Sequence, residues 1–527
     1  MTAIYDIIVV GGGSNSLVAA AYMAKAGQKV LVLEKNDQAG GGVVSISIAP
    51  GFTNDPHASG YYVCMANPAI ANDELGLLSR HGLEFKYWEA GFSTIFSDGT
   101  TLTAFTDLDR SCAEVAKFSE RDAQSYRAFA QDALSILPIL TRGAATPPLP
   151  TGQFFSLLES SALGRKLAAS MFMSVFEMVN HLFESDHVKI HLMKWCAEMM
   201  EGPDVKGTAI ALYNLFGLAH SFDAAIPVGG SKAVTNALIR CIESYGGEVR
   251  LNSEVTALRF SSGDVTGVYL DTELIEARTA VIANIHPWRL KDFIPHIDPA
   301  ITEAASMVHL SNHGAINQQI AMNVVPQYKA GQQFEKSLCV EFVEPDLEAT
   351  RRSFDEYRYG RIPKHLSPLT MINSTLDGTR APEGSAAVYL YHFAPRELAD
   401  GGLEAWNRPE NRQAYADAIF DVWASYMENV SRDAIIARHI ETPLEHHQHS
   451  MNMMNGDIFG IGSTSGQLLG RRPTPELAQY KVPGIGGLYL SGCVQHPGGT
   501  VNFGGRATAI RMAMDMRMDL GKIFEAF

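Results

Sequence analysis

Three consecutive glycines near the start of the chain, Gly11 to Gly13, have the composition of a phosphate-binding turn. They follow a short, mostly β-branched run at Tyr5–Val10, and Glu34 lies about 20 residues further on. Glycines let backbone N–H groups approach a pyrophosphate closely, and a carboxylate at Glu34 can accept hydrogen bonds from both hydroxyls of an adenosine ribose. The spacing therefore predicts a dinucleotide site, and the carboxylate disfavours a nucleotide with a 2′-phosphate.

The elements that must position this turn are a strand, a helix and a second strand. Tyr5–Val10 predicts a buried parallel strand, Ser14–Ala26 a helix with small apolar residues on one side, and Lys29–Leu33 the second strand. Ser16 replaces the third glycine of the G-x-G-x-x-G pattern, so a hydroxymethyl group must fit between helix and strand. This βαβ unit favours dinucleotide binding over the alternative of a Rossmann-like lobe without a nucleotide.

A second glycine-rich turn before a helix lies near the other end of the chain. From Gly487 the sequence reads GLYLSGCVQHPGGTVNFGGRATAIRMAMDM, which predicts a strand, a turn and a helix with Ala507, Ile510 and Met514 at apolar positions. The N–H groups and the positive dipole at that helix start suit a negatively charged part of a cofactor. We therefore expect this turn to form a second part of the cofactor site.

The stretch after Glu34 carries a resemblance to a known superfamily. It reads KNDQAGGGVVS, with Gly40, Gly41 and Gly42 in a row, and APGFTNDPHASGYY follows at Ala49–Tyr62. These segments and the C-terminal turn resemble the FAD-dependent flavoproteins of the phytoene desaturase and amine oxidase superfamily, spread over nearly the whole chain. The resemblance implies non-covalently bound FAD, with Gly40 and Gly41 in a loop that passes over the FAD pyrophosphate.

The glycine turns and the resemblance together give the predicted cofactor contacts. In the superfamily, the element similar to Ala224–Val255 supplies a backbone contact to the adenine near Val255, and the C-terminal turn supplies neighbours of the flavin. The predicted FAD-binding residues are Gly11, Gly13, Ser14, Asn15, Ser16, Glu34, Lys35, Gly40, Gly41, Gly42, Val255, Gly492, Gly498, Gly499, Val501 and Asn502.

Three side chains are candidates for proton transfer, because their segments run close to the expected flavin. They are His57, Tyr62 and His496, and an imidazole or a phenol can give or take a proton while hydride moves to or from a flavin. His496 has a structural alternative, in which it hydrogen-bonds backbone or caps the loop before Pro497. Cys493, in the same turn, is a packing residue or, as the less favoured alternative, the site of a covalent flavin link.

Histidines and cysteines give no predicted metal site. His446, His447 and His449 lack the i, i+4 spacing of helical zinc ligands and an obvious carboxylate partner. The six cysteines contain no C-x-x-C pair, so neither a zinc site nor a disulfide framework is indicated. We expect a reducing, cytoplasmic environment.

The chain has 527 residues, which is enough for two lobes, since a single hydrophobic core stops growing near about 250–300 residues. The predicted fold class is α/β, with a Rossmann-type FAD-binding lobe and a discontinuous α+β substrate lobe of the amine oxidase and phytoene desaturase kind. The FAD-binding lobe comprises residues 1–104, 222–288 and 439–527. The substrate lobe comprises residues 105–221 and 289–438.

The first insertion is rich in methionine and phenylalanine, at Phe154–Phe183 and His191–Met200. Such side chains form an adaptable apolar wall that suits a hydrophobic small-molecule substrate. The alternatives are ordinary core packing and an amphipathic face for peripheral contact with a membrane, although the segment lacks a basic rim. We expect residues of the wall among Met171, Phe172, Met173, Phe176 and Met178.

The charge and hydropathy of the chain narrow its function further. A formal net charge of −15 repels phosphate backbones, so nucleic acid is not an expected partner. The N-terminus begins directly with a predicted strand, without the basic and apolar regions of a secretory signal, and no run reaches the roughly 18 apolar residues of a membrane span. These patterns do not indicate an oligomeric state.

Three functions fit these features. The favoured one is an FAD-dependent oxidoreductase that desaturates, or saturates, a C–C bond of a hydrophobic small molecule by hydride transfer to or from flavin N5. The alternative is a flavin amine oxidase or dehydrogenase. The third is a non-enzymatic prenyl-binding protein similar to Rab escort proteins and GDP-dissociation inhibitors, but the intact C-terminal flavin turn argues against it. Substrate, direction and final electron acceptor, whether oxygen, quinone or NAD(P), are left open.

Overall fold

The strands of the protein form two large sheets and one small sheet. The computed structural model describes residues 4–499, 501 and 503–527. In this part of the chain the strands are β1 Ile4–Val10, β2 Val30–Leu33, β3 Phe85–Tyr87, β4 Ala90–Phe96, β5 Thr101–Phe105, β6 Ala225–Pro227, β7 Glu248–Arg250, β8 Ala257–Ser261, β9 Asp264–Leu270, β10 Glu273–Ala283, β11 Gly314–Met322, β12 Ser337–Val343, β13 Leu369–Met371, β14 Ala386–Ala394, β15 Ile435–Glu441 and β16 Leu488–Leu490.

Helices pack on both large sheets. The helices between the fifth and sixth strands, a stretch that the structure describes throughout, follow one another without an intervening strand and form one insertion. In the described residues the helices are α1 Ser14–Lys25, α2 Pro68–Ala71, α3 Leu108–Ala116, α4 Glu120–Ala144, α5 Thr151–Glu159, α6 Ala162–Ser170, α7 Val175–Leu182, α8 Asp186–Ala197, α9 Ile210–Ala219, α10 Lys232–Ser244, α11 Leu290–Phe293, α12 Pro299–Ser306, α13 Leu347–Arg358, α14 Pro409–Ser425, α15 Pro443–His449, α16 Gly505–Asp515 and α17 Leu520–Ile523.

The first sheet carries the nucleotide-binding elements. Its strands run in the order β7-β2-β1-β10, with β16 beside the C-terminal end of β10, and all these pairs are parallel. The N-terminal part of β10 pairs antiparallel with β9, which pairs with β8. β1 and β2 are rich in buried Ile, Val and Leu, as strands covered on both faces require. The predicted βαβ unit is confirmed as β1, α1 and β2.

Helices α1, α10 and α16 pack together beside this sheet. Gly505 permits the closest approach, because a Cβ there would lie 1.8 Å from the carbonyl oxygen of Asn15. The first turn of α1 and the start of α16 therefore lie side by side. Both helix starts follow glycine turns, so the fold brings the two turns together.

The second sheet has the order β15-β11-β14-β13-β12-β4-β5. Its nine-residue strands β11 and β14 are antiparallel and buried along their whole length. Ile316 and Ile320 of β11 belong to a core cluster with residues of α14. Tyr389 and Tyr391 of β14 instead line a mostly apolar cavity of about 290 Å³, the main cavity. Because side chains alternate along a strand, the sheet has one face for the core and one for the cavity.

The two sheets divide the chain differently from the predicted lobes at three places. β4 and β5 pair within the second sheet, although residues 1–104 are predicted to belong to the FAD-binding lobe. β15 continues to Glu441 in the second sheet, past the predicted boundary at residue 439. Leu290 of α11 and Ile301 of α12 pack in the core of the first sheet with Ile8, although residues 289–438 are predicted to form the substrate lobe. Long-range pairing and burial decide these boundaries, and no local pattern shows them.

Helices α3 to α9 form an apolar core of their own against the second sheet. Met171 and Met178 are buried in this core, while Met173 and Phe176 pack against it. Phe172 is 63% exposed. None of these five residues lines the main cavity, whose helical wall comes from the end of α8 and from α9. Among the described residues, no helix combines the length and apolarity that crossing a bilayer requires.

Candidate active site

Glu34 lies directly after β2, where backbone N–H groups hold its carboxylate. Oε2 accepts from Gly12 N at 2.7 Å and Oε1 from Asn36 N at 2.9 Å. Each carboxylate oxygen can accept two hydrogen bonds, so both keep a lone pair for a ligand. The buried carboxylate is therefore fixed beside the glycine turn, and its contact with a ribose stays a prediction.

The glycines at 40–42 lie against the first glycine turn. Gly40 N donates to the Gly12 carbonyl at 2.8 Å, and the Gly40 carbonyl accepts from Ser14 N at 3.1 Å. Gly40 and Gly41 have φ of +129° and +61°, and a Cβ on Gly40 would come within 2.2 Å of a backbone oxygen. Glycine is therefore required at Gly40, and the two loops form one backbone cradle at the start of α1.

Asn15, in the first turn of α1, connects this cradle to the C-terminal glycine turn. Its Nδ2 donates to the Gly499 carbonyl at 2.8 Å, and its Oδ1 accepts from Gly504 N at 2.9 Å. Asn15 and Gly499 are separated by 484 positions in the sequence, so the two turns form one site only in the folded chain. Val501 lines the main cavity, and the predicted contact Asn502 lies outside the described residues.

Asn284 is a site residue that no sequence pattern singles out. It follows β10 and lies between the two turns, since a Cβ on Gly11 would be 3.7 Å from its Cβ and one on Gly492 would be 2.0 Å from its Oδ1. This Oδ1 is buried and has no hydrogen-bond partner among the described residues. A buried acceptor without a partner, in a cradle of glycines, is suited to a donor on a ligand. Asparagine often follows a strand, so this position in the sequence does not by itself identify Asn284 as a site residue.

The remaining predicted contacts lie around the cradle. Val255 is 8% exposed, and the backbone just before it pairs with Glu34, since Ser253 N donates to the Glu34 carbonyl at 2.8 Å. Val255 is thus close to the adenosine end of the cradle. Ser16 is fully buried, as expected for a side chain between helix and strand, and the half-buried Lys35 follows Glu34.

A cavity of about 290 Å³ lies between the cradle and the second sheet. Gly42 and Gly499 are part of its wall, so the cavity begins where the flavin ring is expected. A neighbouring cavity of about 210 Å³ shares Val63, Met199 and Val501 with it. The wall is mostly apolar, as in most small-molecule sites. Its large apolar side chains include Phe92, Trp195, Met200, Leu215, Leu338 and Phe459.

Tyr62 lies in the wall of this cavity, against Gly91 of β4. A Cβ on Gly91 would overlap the Tyr62 hydroxyl at 1.1 Å, so the phenol occupies space that only a glycine leaves free. Burial raises the pKa of Tyr62 well above its usual value. The hydroxyl therefore keeps its proton at neutral pH and can act as a hydrogen-bond donor.

His57 also lines the cavity, beside side chains that are far away in the sequence. Its Nδ1 lies 3.6 Å from Oε2 of Glu441, and Nε2 of His446 lies 3.7 Å from the same oxygen. Burial lowers the pKa of His57 to about 3. Burial alone would raise the pKa of Glu441, but His57 and the neighbouring histidines bring it to about 2. At neutral pH the imidazole of His57 is therefore uncharged and the Glu441 carboxylate is charged.

The three potential ligand atoms of His57, Glu441 and His446 lie within 4.8 Å of one another. This grouping differs from the histidines considered in the sequence, because β15 supplies the carboxylate and a distant loop supplies His57. A metal-bound imidazole normally donates its second ring N–H to a fixed acceptor. Neither His57 Nε2 nor His446 Nδ1 has such a partner among the described residues. Within the described part of the chain, the group therefore lacks the outer hydrogen bonds that normally orient the imidazole ligands of a metal.

His496 does not line the main cavity. Its Nε2 lies 2.9 Å from the Gly143 carbonyl, to which it donates, and burial lowers its pKa to about 4. This contact corresponds to the structural alternative for His496. Burial also raises the pKa of the Cys493 thiol to about 11, so this side chain stays a thiol at neutral pH, as a packing residue would.

Comparison with known proteins connects this site to a family. Residues 17–321 match the family of flavin containing amine oxidoreductases. The chain is 27% identical to mouse pyridine nucleotide-disulfide oxidoreductase domain-containing protein 2, over 94% of this chain and 91% of the mouse protein. It is 25% identical to a limonene dehydrogenase polypeptide of Castellaniella defragrans, over 98% of this chain and 95% of that protein. Phytoene desaturases are also among its relatives.

The fold agrees with that of solved flavoproteins. A putrescine oxidase variant superposes with a TM-score of 0.61 at 13% identity, over 98% of each chain. The predicted α/β fold and the resemblance to the phytoene desaturase and amine oxidase superfamily are therefore confirmed. The glycine cradle, Glu34 and Asn284 fit FAD, which is the cofactor, and the protein is an FAD-dependent oxidoreductase. Because the matched region spans more than half of the chain, the protein belongs to the flavin containing amine oxidoreductase family.

Proposed function

We propose that the protein dehydrogenates a C–C bond of a hydrophobic small molecule. The observation that supports this most strongly is the mostly apolar cavity that begins at Gly42 and Gly499 of the FAD cradle. Bound FAD supplies a hydride acceptor. Limonene and phytoene, from which two of the relatives take their names, are hydrocarbons, and such substrates need an apolar wall rather than a charged one.

In this proposal His57 accepts the proton that leaves the carbon next to the hydride donor. Its Nε2 is buried and has no hydrogen-bond partner among the described residues, while Nδ1 faces the Glu441 carboxylate at 3.6 Å. The negative charge of Glu441 opposes the effect of burial, which lowers the pKa of His57 to about 3, and so favours the imidazolium that forms. The surrounding apolar side chains exclude water, which strengthens this electrostatic effect.

The experiment is anaerobic reduction of the purified, FAD-loaded protein, followed by visible absorbance. We expect the flavin band to bleach with an apolar cyclic terpene, tested both as the hydrocarbon and as a ketone, and not with primary amines. His57→Gln should keep its FAD and bleach at least tenfold more slowly, because a general base contributes about 10²–10⁴-fold. Bleaching by amines alone would instead establish amine oxidation, and a purified protein without flavin absorbance would contradict both functions.

Cytoplasmic location and contact with a membrane surface remain predictions. Phe172 is 63% exposed and stacks on Phe155 with ring centroids 5.9 Å apart. We propose this pair as the apolar surface on which membrane contact would depend. No nucleic-acid partner is proposed, since the net charge is −15.

A further inference from the structure

One carboxylic acid stands out in the wall of the apolar cavity. Glu198 directly follows α8 and lines the cavity beside Met199 and Met200. Its carboxyl has no hydrogen-bond or ion-pair partner among the described residues. Carboxyl groups in apolar surroundings are rare unless they are paired or serve a ligand.

The nearby Lys194 already has another carboxylate as its ion-pair partner. Lys194, one turn earlier on α8, lies 2.9 Å from Oε1 of Glu341, and both side chains are almost completely buried. Lys194 also lies over the Phe393 ring. The ion pair of Lys194 and Glu341 is therefore complete without Glu198, and a structural role in that pair does not explain the second acid.

Burial and the nearby charge of Glu341 raise the pKa of Glu198 to about 8, although Lys194 acts in the opposite direction. The carboxyl is therefore mostly protonated at neutral pH, and a protonated carboxyl donates a hydrogen bond. Other titratable side chains face it from the second sheet and keep their protons, because burial raises their pKa values. They are Cys339 of β12 and Tyr389 and Tyr391 of β14.

We propose that Glu198 is a hydrogen-bond donor that binds a carbonyl oxygen on the otherwise hydrophobic substrate. The inference rests on the proposed function, and it narrows the substrate class from plain hydrocarbons to apolar compounds with one carbonyl group. An acceptor on the ligand gives the Glu198 proton the partner that the protein does not supply. A site built to bond such an oxygen discriminates strongly against an analogue that lacks it.

The test compares two probes of equal chain length, 2-octanone and octane. Headspace gas chromatography measures how much of each volatile probe the FAD-loaded protein retains. The proteins are the wild type, Glu198→Leu, which removes the donor, and Glu198→Gln, whose amide donates at every pH. At pH 7 we expect the wild type to bind 2-octanone at least tenfold more tightly than Glu198→Leu, whereas octane binds equally to all three.

The pH dependence separates a titrating donor from a structural effect. Between pH 7 and pH 9 the wild-type affinity for 2-octanone should fall about tenfold as the Glu198 carboxyl loses its proton, while that of Glu198→Gln should not change. Equal binding of 2-octanone by the wild type and Glu198→Leu, or the same pH dependence in Glu198→Gln, would overturn the role of Glu198 and leave the apolar cavity intact. Failure of both probes to bind the wild type would overturn the apolar cavity as well.

Discussion

At the scale of single residues, the carboxyl groups in and around the active site differ by what surrounds them. Glu34 accepts two backbone N–H bonds, and Glu441 lies among histidines that lower its pKa. Glu198 has neither kind of partner, and burial raises its pKa. The same side chain is therefore an anchored acceptor, a charged neighbour of an imidazole, or a neutral donor, depending on the N–H groups and charges near it.

Glu34 is expected to determine how tightly FAD is held. Glu34→Ala removes charge-assisted hydrogen bonds worth about 1.5–3 kcal/mol each and also releases Gly12 N from its acceptor. The dissociation constant for FAD should rise at least tenfold, measured by fluorescence of released flavin after dilution. Glu248→Ala, in the neighbouring strand, should leave FAD affinity unchanged. An unaltered dissociation constant in Glu34→Ala would remove this carboxylate from the cofactor site.

Residues that act through local backbone geometry could be predicted from the sequence. Glu34 and Gly40 lie on short segments whose spacing follows from one βαβ unit, so their positions relative to the turn were already determined by the local pattern. Asn284, Glu441 and Glu198 differ, because each reaches the site from a separate part of the chain. Their roles depend on strand pairing in two sheets, which single-sequence patterns do not encode.

At the scale of elements, a buried arginine joins loops that belong to the two sheets. Arg380, just before β14, is 2% exposed, and its Nη1 lies 2.5 Å from Oδ2 of Asp55. Its Nε lies 3.1 Å from Asp377, and its Nη2 donates to the Pro227 carbonyl at 2.6 Å. Asp55 belongs to the segment after the glycine loop, and Pro227 ends β6. One guanidinium therefore connects the FAD-side loops with the second sheet.

Replacing this arginine should destabilise the whole protein. Arg380→Met leaves the buried Asp55 carboxylate without a cation and leaves Asp377 with only Lys86, 3.9 Å away. Loss of one partner of a buried ion pair typically costs about 3–5 kcal/mol. The free energy of unfolding, measured by urea denaturation of the FAD-loaded protein, should fall by that amount. Arg358→Met is the matched control, because Arg358 forms an exposed pair with Asp355 at 3.6 Å and its loss should leave stability nearly unchanged. Equal stability of the two variants would show that Arg380 is not a connection between the lobes.

The packing of whole elements also determines which parts of the helical insertion line the cavity and which form core. Methionine and phenylalanine content predicts an apolar wall, and the segment just after α8 supplies part of one through Met199 and Met200. The same composition just after α6 and in α7 packs in or against the core instead. Composition shows that a segment is apolar, whereas the neighbouring helices determine which side it covers.

At the scale of the whole molecule, several buried histidines make stability depend on pH. Burial lowers their pKa values in the folded state to about 3 or 4, below the value of about 6.5 in an unfolded chain. The unfolded chain therefore binds more protons below pH 6.5, and the stability present above that pH is lost as the pH falls toward the folded-state values. These histidines are His57, His191, His286, His313, His392 and His496.

The melting temperature should therefore fall steeply between pH 7.5 and pH 5.5. One pH unit below 6.5, each such histidine lowers the free energy of unfolding by roughly 1 kcal/mol, so that together they remove several kcal/mol. Differential scanning calorimetry in buffers of matched ionic strength measures this effect. His191→Asn should reduce the pH dependence by the share of one histidine. A melting temperature that stays constant over this range would contradict the buried, neutral state of these rings.

Because Asn15 hydrogen-bonds Gly499 and Gly504, the FAD cradle is completed late in the synthesis of the protein. The ribosome makes the second glycine turn 484 residues after the first. At about 5–20 residues per second, the N-terminal half of the cradle waits roughly half a minute to a minute and a half for its other half. Strand β16 and helix α16 are still missing during that interval. The complete cradle that holds FAD therefore forms only after α16 has been synthesised, and until then the unpaired half of the cradle exposes apolar surface on which the unfinished chain can aggregate.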